Sequence, residues 1–206
     1  MDESPSQYAA APELVLASAS PRRRELLEQI GVRYRVVAAA LDERQLPNES
    51  PVECVQRLAL AKAQHVRARE RSPAVVVLGA DTAVVLDGLM LGKPADGTEH
   101  ECMMSALSGR VHQVLTAVAV VSAYGASVCL SQSSVQMGEL SAEEARAYWA
   151  TGEPADKAGG YAIQGRGAVF VADLRGSYSG VMGLPLFETA ALLEEHGIMT
   201  GWKEQV

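Results

Sequence analysis

Positive charge is in short supply in this 206-residue chain: 18 Lys and Arg stand against 25 Asp and Glu, a net charge of −7. The deficit excludes a broad nucleic-acid surface, because duplex binding needs a basic face to displace counterions. Cysteine is equally sparse. Cys54, Cys102 and Cys129 are odd in number with no close pair, so neither a disulfide framework nor a zinc site is indicated. No stretch approaches the roughly 20 uninterrupted apolar residues of a membrane span. The opening "MDESPSQYAAAP" lacks the basic start and apolar core of a signal peptide. These absences predict a cytoplasmic protein in a reducing compartment, with no membrane and no nucleic-acid partner. Internal repeats, low-complexity tracts and interdomain linkers are also missing. The chain therefore reads as one domain over 13–196, with a disordered N-terminal tail at 1–12 and a C-terminal tail at 197–206. At 206 residues, 48% hydrophobic and 21% charged, it can build one substantial core or two small lobes.

The hydrophobic pattern predicts an α/β protein. "LVLAS" (14–18) is a short buried strand, and Ser20 with Pro21 opens a helix that runs to Gly31. "RYRVVAA" (33–39) is a second strand. Capping boxes at Ser50/Glu53, Asp96/Glu99 and Ser141/Glu144 start three further helices. "PAVVVLGAD" (73–81) is a strand buried on both faces, and "TAVVLDGLML" continues it as a hairpin turned at Asp87-Gly88. Two long patterns, 110–123 and 127–140, form an antiparallel pair. From Gly152 to Gly183 glycine is dense, the mark of tight turns or of backbone that approaches something closely, and a last helix spans Leu184 to about His196.

One stretch is electrostatically odd. "SASPRRRELL" puts Arg22, Arg23 and Arg24 in the first turn of a helix, where the partial positive charge disfavours each cation by roughly 0.3–1 kcal/mol. A phosphate or polyphosphate at the helix start offsets that repulsion, with the hydroxyls of Ser18 and Ser20 as further donors. Arg24 is the member best suited to face solvent. Asp81, at the end of the strand ending in "GAD", falls where an open α/β sheet binds ligands. Asp42 and Glu43 in the loop after the second strand are further carboxylates able to share a hard divalent cation with it. Lys62 and Lys93 are candidate phosphate ligands. In "EPADKAGGYAIQG", which also carries Glu153, Asp156 and Lys157, Gln164 can present an amide donor and acceptor to the edge of a base.

Taken in order, "SASPRRRELL", "GADTAVV", "GKP", "LSGRVHQVLTAVAV", "GEPADKAGGYAIQGRGAVFV" and "GSYSGVMGLPL" resemble the Maf family of nucleoside triphosphate pyrophosphatases over about residues 13 to 196. The resemblance implies a single inosine-triphosphatase-like α/β domain: a long curved mixed sheet flanked by helices, with two lobes and a central cleft. It implies cleavage of a nucleoside triphosphate between the α- and β-phosphates, with Mg²⁺ or Mn²⁺, to the monophosphate and pyrophosphate. By resemblance, Asp81 is the proton acceptor, Arg22, Thr82 and Gln164 choose the substrate, and Glu43, Lys62 and Lys93 match the other charged cleft residues. Glu43 and Asp81 hold the metal, while Ser18, Ser20, Arg22, Arg23, Lys62 and Lys93 face the substrate's phosphates. The "DKAGGYAIQG" segment is similar to the dTTP/UTP branch, in which a glutamine can pair with the O4 and N3–H edge of uracil or thymine. A homodimer fits the same resemblance. Two other readings use the same cleft: a 7-methyl-GTP pyrophosphatase, and a nucleotide-binding regulator of cell division that does not turn its ligand over.

Overall fold

A computed structural model describes residues 12–201. The capping boxes act where the sequence puts them. Ser50 and Ser141 each accept from the amide three residues on, while Glu53 and Glu144 return the bond to the cap, opening α2 (Pro51–Arg67) and α4 (Ala142–Trp149). Asp96 caps α3 (Gly97–Leu107) through the amides of Thr98 and Glu99, and here Glu99 turns instead to the amide of Ala95. Helix α1 spans Pro21–Gln29.

Among the described residues seven strands form one mixed sheet: β1 (Glu13–Leu16), β2 (Tyr34–Val36), β3 (Val75–Leu86), β4 (Leu89–Leu91), β5 (Val111–Ser122), β6 (Gly125–Met137) and β7 (Val171–Arg175). Their order is β2-β1-β3-β5-β6-β7, with β4 folded back on β3 through Asp87 and Gly88. Both turn residues have positive φ, 51° and 80°, as a tight hairpin between right-twisted strands requires. β1 is parallel to β2 and β3, whereas β3, β5, β6 and β7 run antiparallel in sequence. β7 was not expected. Its few apolar residues follow a run of glycine-rich turns, and it is held as a strand by pairing with β6. Within the same segment lie three 3-10 turns and the short helix α5 (Tyr178–Met182), and α6 (Leu186–Glu195) follows.

Alternation along β1 and β3 builds a core on each face of the sheet. Leu14, Leu16, Val76, Leu78 and Ala80 pack with α1 and α6, while Val15, Ala17, Val75 and Val77 pack with α2. A third cluster, around Met104, Leu107, Tyr148, Tyr161 and Ile163, closes the far end against α3 and α4. Residues 197–201, assigned to a tail by the sequence reading, dock on this body. Ile198 and Thr200 are buried, and the Gly201 amide donates to the Ile30 carbonyl at 3.0 Å. The tail expected at 1–12 lies outside the described residues apart from Pro12.

Asp81 is not at the end of its strand. β3 stays extended beyond it because β5 pairs with it continuously from Val77 to Val85. β1, however, stops opposite Leu78, and the pairing of β3 with β4 starts only at Val84, opposite Leu91. Between those points one edge of β3 has no partner strand among the described residues. The crevice at a strand's carboxyl end therefore exists, but it belongs to β1.

His112 of β5 is 2% exposed, and its Nε2 lies 2.7 Å from the Tyr161 hydroxyl. Burial pushes its pKa down to about 4. The unfolded chain therefore binds this proton more readily than the native state between about pH 6.5 and pH 4. Stability is expected to fall as pH drops through that window, by roughly 3 kcal/mol in total. Urea denaturation at stepped pH should show the decline, and His112→Gln should flatten it.

Candidate functional site

A cleft of about 440 Å³ opens over the unpartnered edge of β3. Ser18, Ser20, Arg22, Arg23, Glu43, Lys62, Asp81, Thr82, Lys93 and Gln164, from well separated stretches of sequence, all line it. Asp81 and Thr82 are adjacent, so they point to opposite faces of the sheet. The cleft thus wraps the strand edge, with Asp81 on the α2 side and Thr82 on the α1 side.

The α2 side is built by a missing side chain. A Cβ on Gly79 would lie 2.3 Å from the Ala59 carbonyl oxygen and 2.8 Å from the Ala63 amide, so only glycine lets α2 settle onto β3 here. Asp81 lies two residues further along the same face. That contact brings the buried Lys62 ammonium within 2.7 Å of Asp81 Oδ1, and Lys62 also reaches Glu43 Oε1 at 2.7 Å. Burial raises the Asp81 pKa; Lys62 and Arg23 oppose the shift and Glu43 reinforces it, leaving the net change upward. Asp42 takes no part. Arg44 chelates its carboxylate at 2.6–3.0 Å and holds its pKa down at about 2. The choice between Asp42 and Glu43 is made by that side chain and by Arg57, which bonds Glu49 and the Arg44 carbonyl from α2 and so fixes the loop.

On the α1 side, Arg23 folds back over the helix start. Its Nε donates to the Gly183 carbonyl at 2.8 Å, Nη1 to Ser18 Oγ at 3.0 Å and Nη2 to Thr82 Oγ1 at 3.3 Å. Thr116, opposite Thr82 on β5, supports the Thr82 hydroxyl at 3.0 Å and donates to the Gly180 carbonyl. Burial lowers the Arg23 pKa, and the neighbouring Asp81 charge opposes this. Arg22 approaches Asp156 at 3.5 Å, and Arg24 is exposed. The first-turn repulsion is therefore partly offset by the protein itself. Ser20 occupies the N-cap position without capping, so the α1 amides that its hydroxyl would satisfy stay open.

The far wall carries Gln164 and Lys93, both exposed side chains without a hydrogen-bond or ion-pair partner among the described residues, beside apolar Val84, Val114, Ile163 and Met182. Asp156 and Lys157 also line the cleft and pair with each other. Sequence alone does not assign either to the site. Their only local signal is their place in the glycine-rich stretch, and the pairing of Asp156 with Arg22 depends on contact between distant segments.

Among the described residues, no group of three or more His, Cys, Asp and Glu side chains is disposed to hold a metal. Two carboxylates around one point nevertheless suit Mg²⁺ or Mn²⁺, hard cations that keep several waters and share substrate phosphates rather than needing a full protein cage. Asp81 and Glu43, which both bond the Lys62 ammonium, are the carboxylates that could hold one.

A family model described as Maf-like protein matches residues 13–196. The dTTP/UTP pyrophosphatase of Nitrosospira multiformis is 53% identical over 196 residues, covering 90% of this chain and 95% of its own. That of Burkholderia pseudomallei is 52% identical over 193 residues, covering 88% and 92%. That of Symbiobacterium thermophilum is 49% identical over 191 residues, covering 92% and 97%. Among solved structures, the Staphylococcus aureus Ham1 protein overlaps 61% of this chain and 71% of its own, with a TM-score of 0.45 and 14% identity. The family match runs from β1 through α6 and takes in every stretch that contributes to the cleft; the chain belongs to the Maf-like protein family.

Proposed function

We propose that the cleft hydrolyses dTTP and UTP to the nucleoside monophosphate and pyrophosphate. The observation that carries this reading is the meeting of a buried carboxylate of raised pKa, Asp81, with a basic helix start across the same cleft. The names of the relatives support the nucleotide. A carboxylate that holds a proton more firmly than usual is the better base, and Asp81 takes the proton of the water that adds at the α-phosphorus. The bond to the bridging oxygen then breaks, and pyrophosphate leaves. Arg22, Lys93 and the open amides of α1 hold the phosphate oxygens. Lys62 has three N–H donors and spends two on Asp81 and Glu43, which leaves one for substrate. Glu43 and Asp81 would hold a divalent cation, whose chemistry would be to neutralise charge that develops in the transition state. Ser18 and Thr82 fix the Arg23 guanidinium, while Ser20 offers a free hydroxyl at the helix start. Gln164 faces the base.

The reaction belongs in the cytoplasm, where its substrates are held, and the three unpaired cysteines suit a reducing compartment. None of the described helices is long and apolar enough to cross a membrane. The test is pyrophosphate release with Mg²⁺ from a panel of dTTP, UTP, CTP, GTP and 7-methyl-GTP. Release from dTTP and UTP ahead of the others is expected. Preference for 7-methyl-GTP, or binding of dTTP without release, would overturn the reading.

A further inference from the structure

Gln164 stands on a turn that belongs to no sheet, so something other than a ladder must hold it. Two side chains that do not line the cleft, Glu153 and Tyr148, bracket the turn from behind. Glu153 Oε1 accepts from the Tyr148 hydroxyl at 2.7 Å and from the Gly167 amide at 3.1 Å, and its Oε2 accepts from the Arg166 amide at 3.0 Å. The Tyr148 hydroxyl in turn accepts from the Ala162 amide at 3.0 Å. The backbone is thus gripped two residues before Gln164 and again two and three residues after it.

The fit leaves no slack. A Cβ on Gly165 would sit 2.4 Å from Glu153 Oε2, and one on Gly167 would sit 2.6 Å from the Tyr148 hydroxyl, so the turn lies directly on the two groups. Tyr148 is 4% exposed and is itself wedged edge-on against Phe170, with ring centroids 5.3 Å apart. Burial pushes the Glu153 carboxyl up, but the bonds from Tyr148, Arg166 and Gly167 outweigh it and the net shift is downward, which keeps the group an acceptor.

We propose that Glu153, acting with Tyr148, is a positioning residue for base selection: its carboxylate sets where the Gln164 amide stands in the cleft. The inference rests on the reading that Gln164 reads the pyrimidine edge. A side chain that discriminates by two directed hydrogen bonds is sensitive to displacement, and a shift near 1 Å in a positioned group can cost about 10²-fold. Glu153→Gln keeps the volume but points an amide N–H at one of the three donors, so the turn must move.

The test measures kcat/KM for dTTP and CTP in Glu153→Gln, in Gln164→Ala and in the double variant. Glu153→Gln should lower the dTTP-to-CTP ratio by about tenfold. In the Gln164→Ala background it should change that ratio by less than about twofold, since the group it positions is gone. Tyr148→Phe, which removes the hydroxyl shared by Glu153 and Ala162, should show the same coupling and serves if the first variant folds poorly. Equal losses on dTTP and CTP, or a ratio change that persists without Gln164, would reduce Glu153 to a stabilising contact. If Gln164→Ala alone leaves the ratio intact, the base-reading assignment falls and this proposal with it. If Gln164→Ala collapses the ratio while Glu153→Gln and Tyr148→Phe do not, only the positioning role is lost.

Discussion

Asp81→Asn is expected to lower kcat for dTTP by at least about a hundredfold while leaving the protein folded, the size of effect that follows loss of a general base. Asn has the same shape and can still accept from Lys62 through its amide oxygen, but it cannot take a proton from water. Folding should survive because the native carboxylate is not a stabilising charge. Its folded pKa lies above the ordinary value because burial disfavours the ionised form, and the neutral amide removes that cost. Lys62 keeps Glu43 as its partner. The same raised pKa governs the pH profile of the parent. The acid limb of kcat/KM should fall at a higher pH than an unperturbed carboxylate would give, because protonated Asp81 is inactive. Pyrophosphate release and urea denaturation of the one variant separate chemistry from folding. Turnover within about threefold of the parent would remove Asp81 from the base role.

Lys62→Met carries the second large effect, and it acts on stability as well as rate. The substitution is close in volume, yet it strips the cation from between two carboxylates, one of them only 10% exposed in its side chain. Removing one partner of a buried pair typically costs about 3 kcal/mol, because the other charge stays behind without compensation. Here the penalty should depend on pH. Lys62 is the strongest influence holding the Asp81 pKa down, so without it that pKa climbs further. At low pH Asp81 is then neutral and needs no partner. As pH rises toward the elevated folded pKa, the unfolded carboxyl has already released its proton, near pH 3.9, and native stability falls. Urea denaturation should show a deficit that is larger at pH 8 than at pH 5, with the acid limb of turnover moved upward. A deficit equal at both values would mean that Lys62 contributes by packing alone.

Much of this molecule is written in short windows. Ser50 and Ser141 begin helices because their capping partners lie three residues away, and Asp87-Gly88 turns a hairpin because both residues tolerate positive φ. Such signals need no distant contact. The candidate residues of the cleft stand out for a different reason: they are chemically conspicuous, as three arginines at a helix start are. What the reading lacked was which conspicuous residue does what. Arg22, Arg23 and Arg24 share one sequence environment, but the first pairs with Asp156, the second is fixed by Ser18, Thr82 and Gly183, and the third is exposed. Asp156, Lys157 and β7 went unassigned because their local sequence resembles any glycine-rich loop, and only their partners give them a role.

The sequence by itself therefore determined the capped helices, the hairpin and the long strands, the α/β class and most of the chemical inventory of the cleft, because hydrophobic period, capping and side-chain type act within a few residues of one another. The tertiary structure alone decided that β3 runs on past Asp81, that β1 stops short to leave an edge open, and that Gly79 lets α2 close enough for Lys62 to meet the carboxylate. It also chose Glu43 over Asp42, through Arg44 and Arg57. The physical reason is common to these cases: strand pairing, close approach and ion pairing are set by distances between segments far apart in the chain, and no local pattern encodes such a distance.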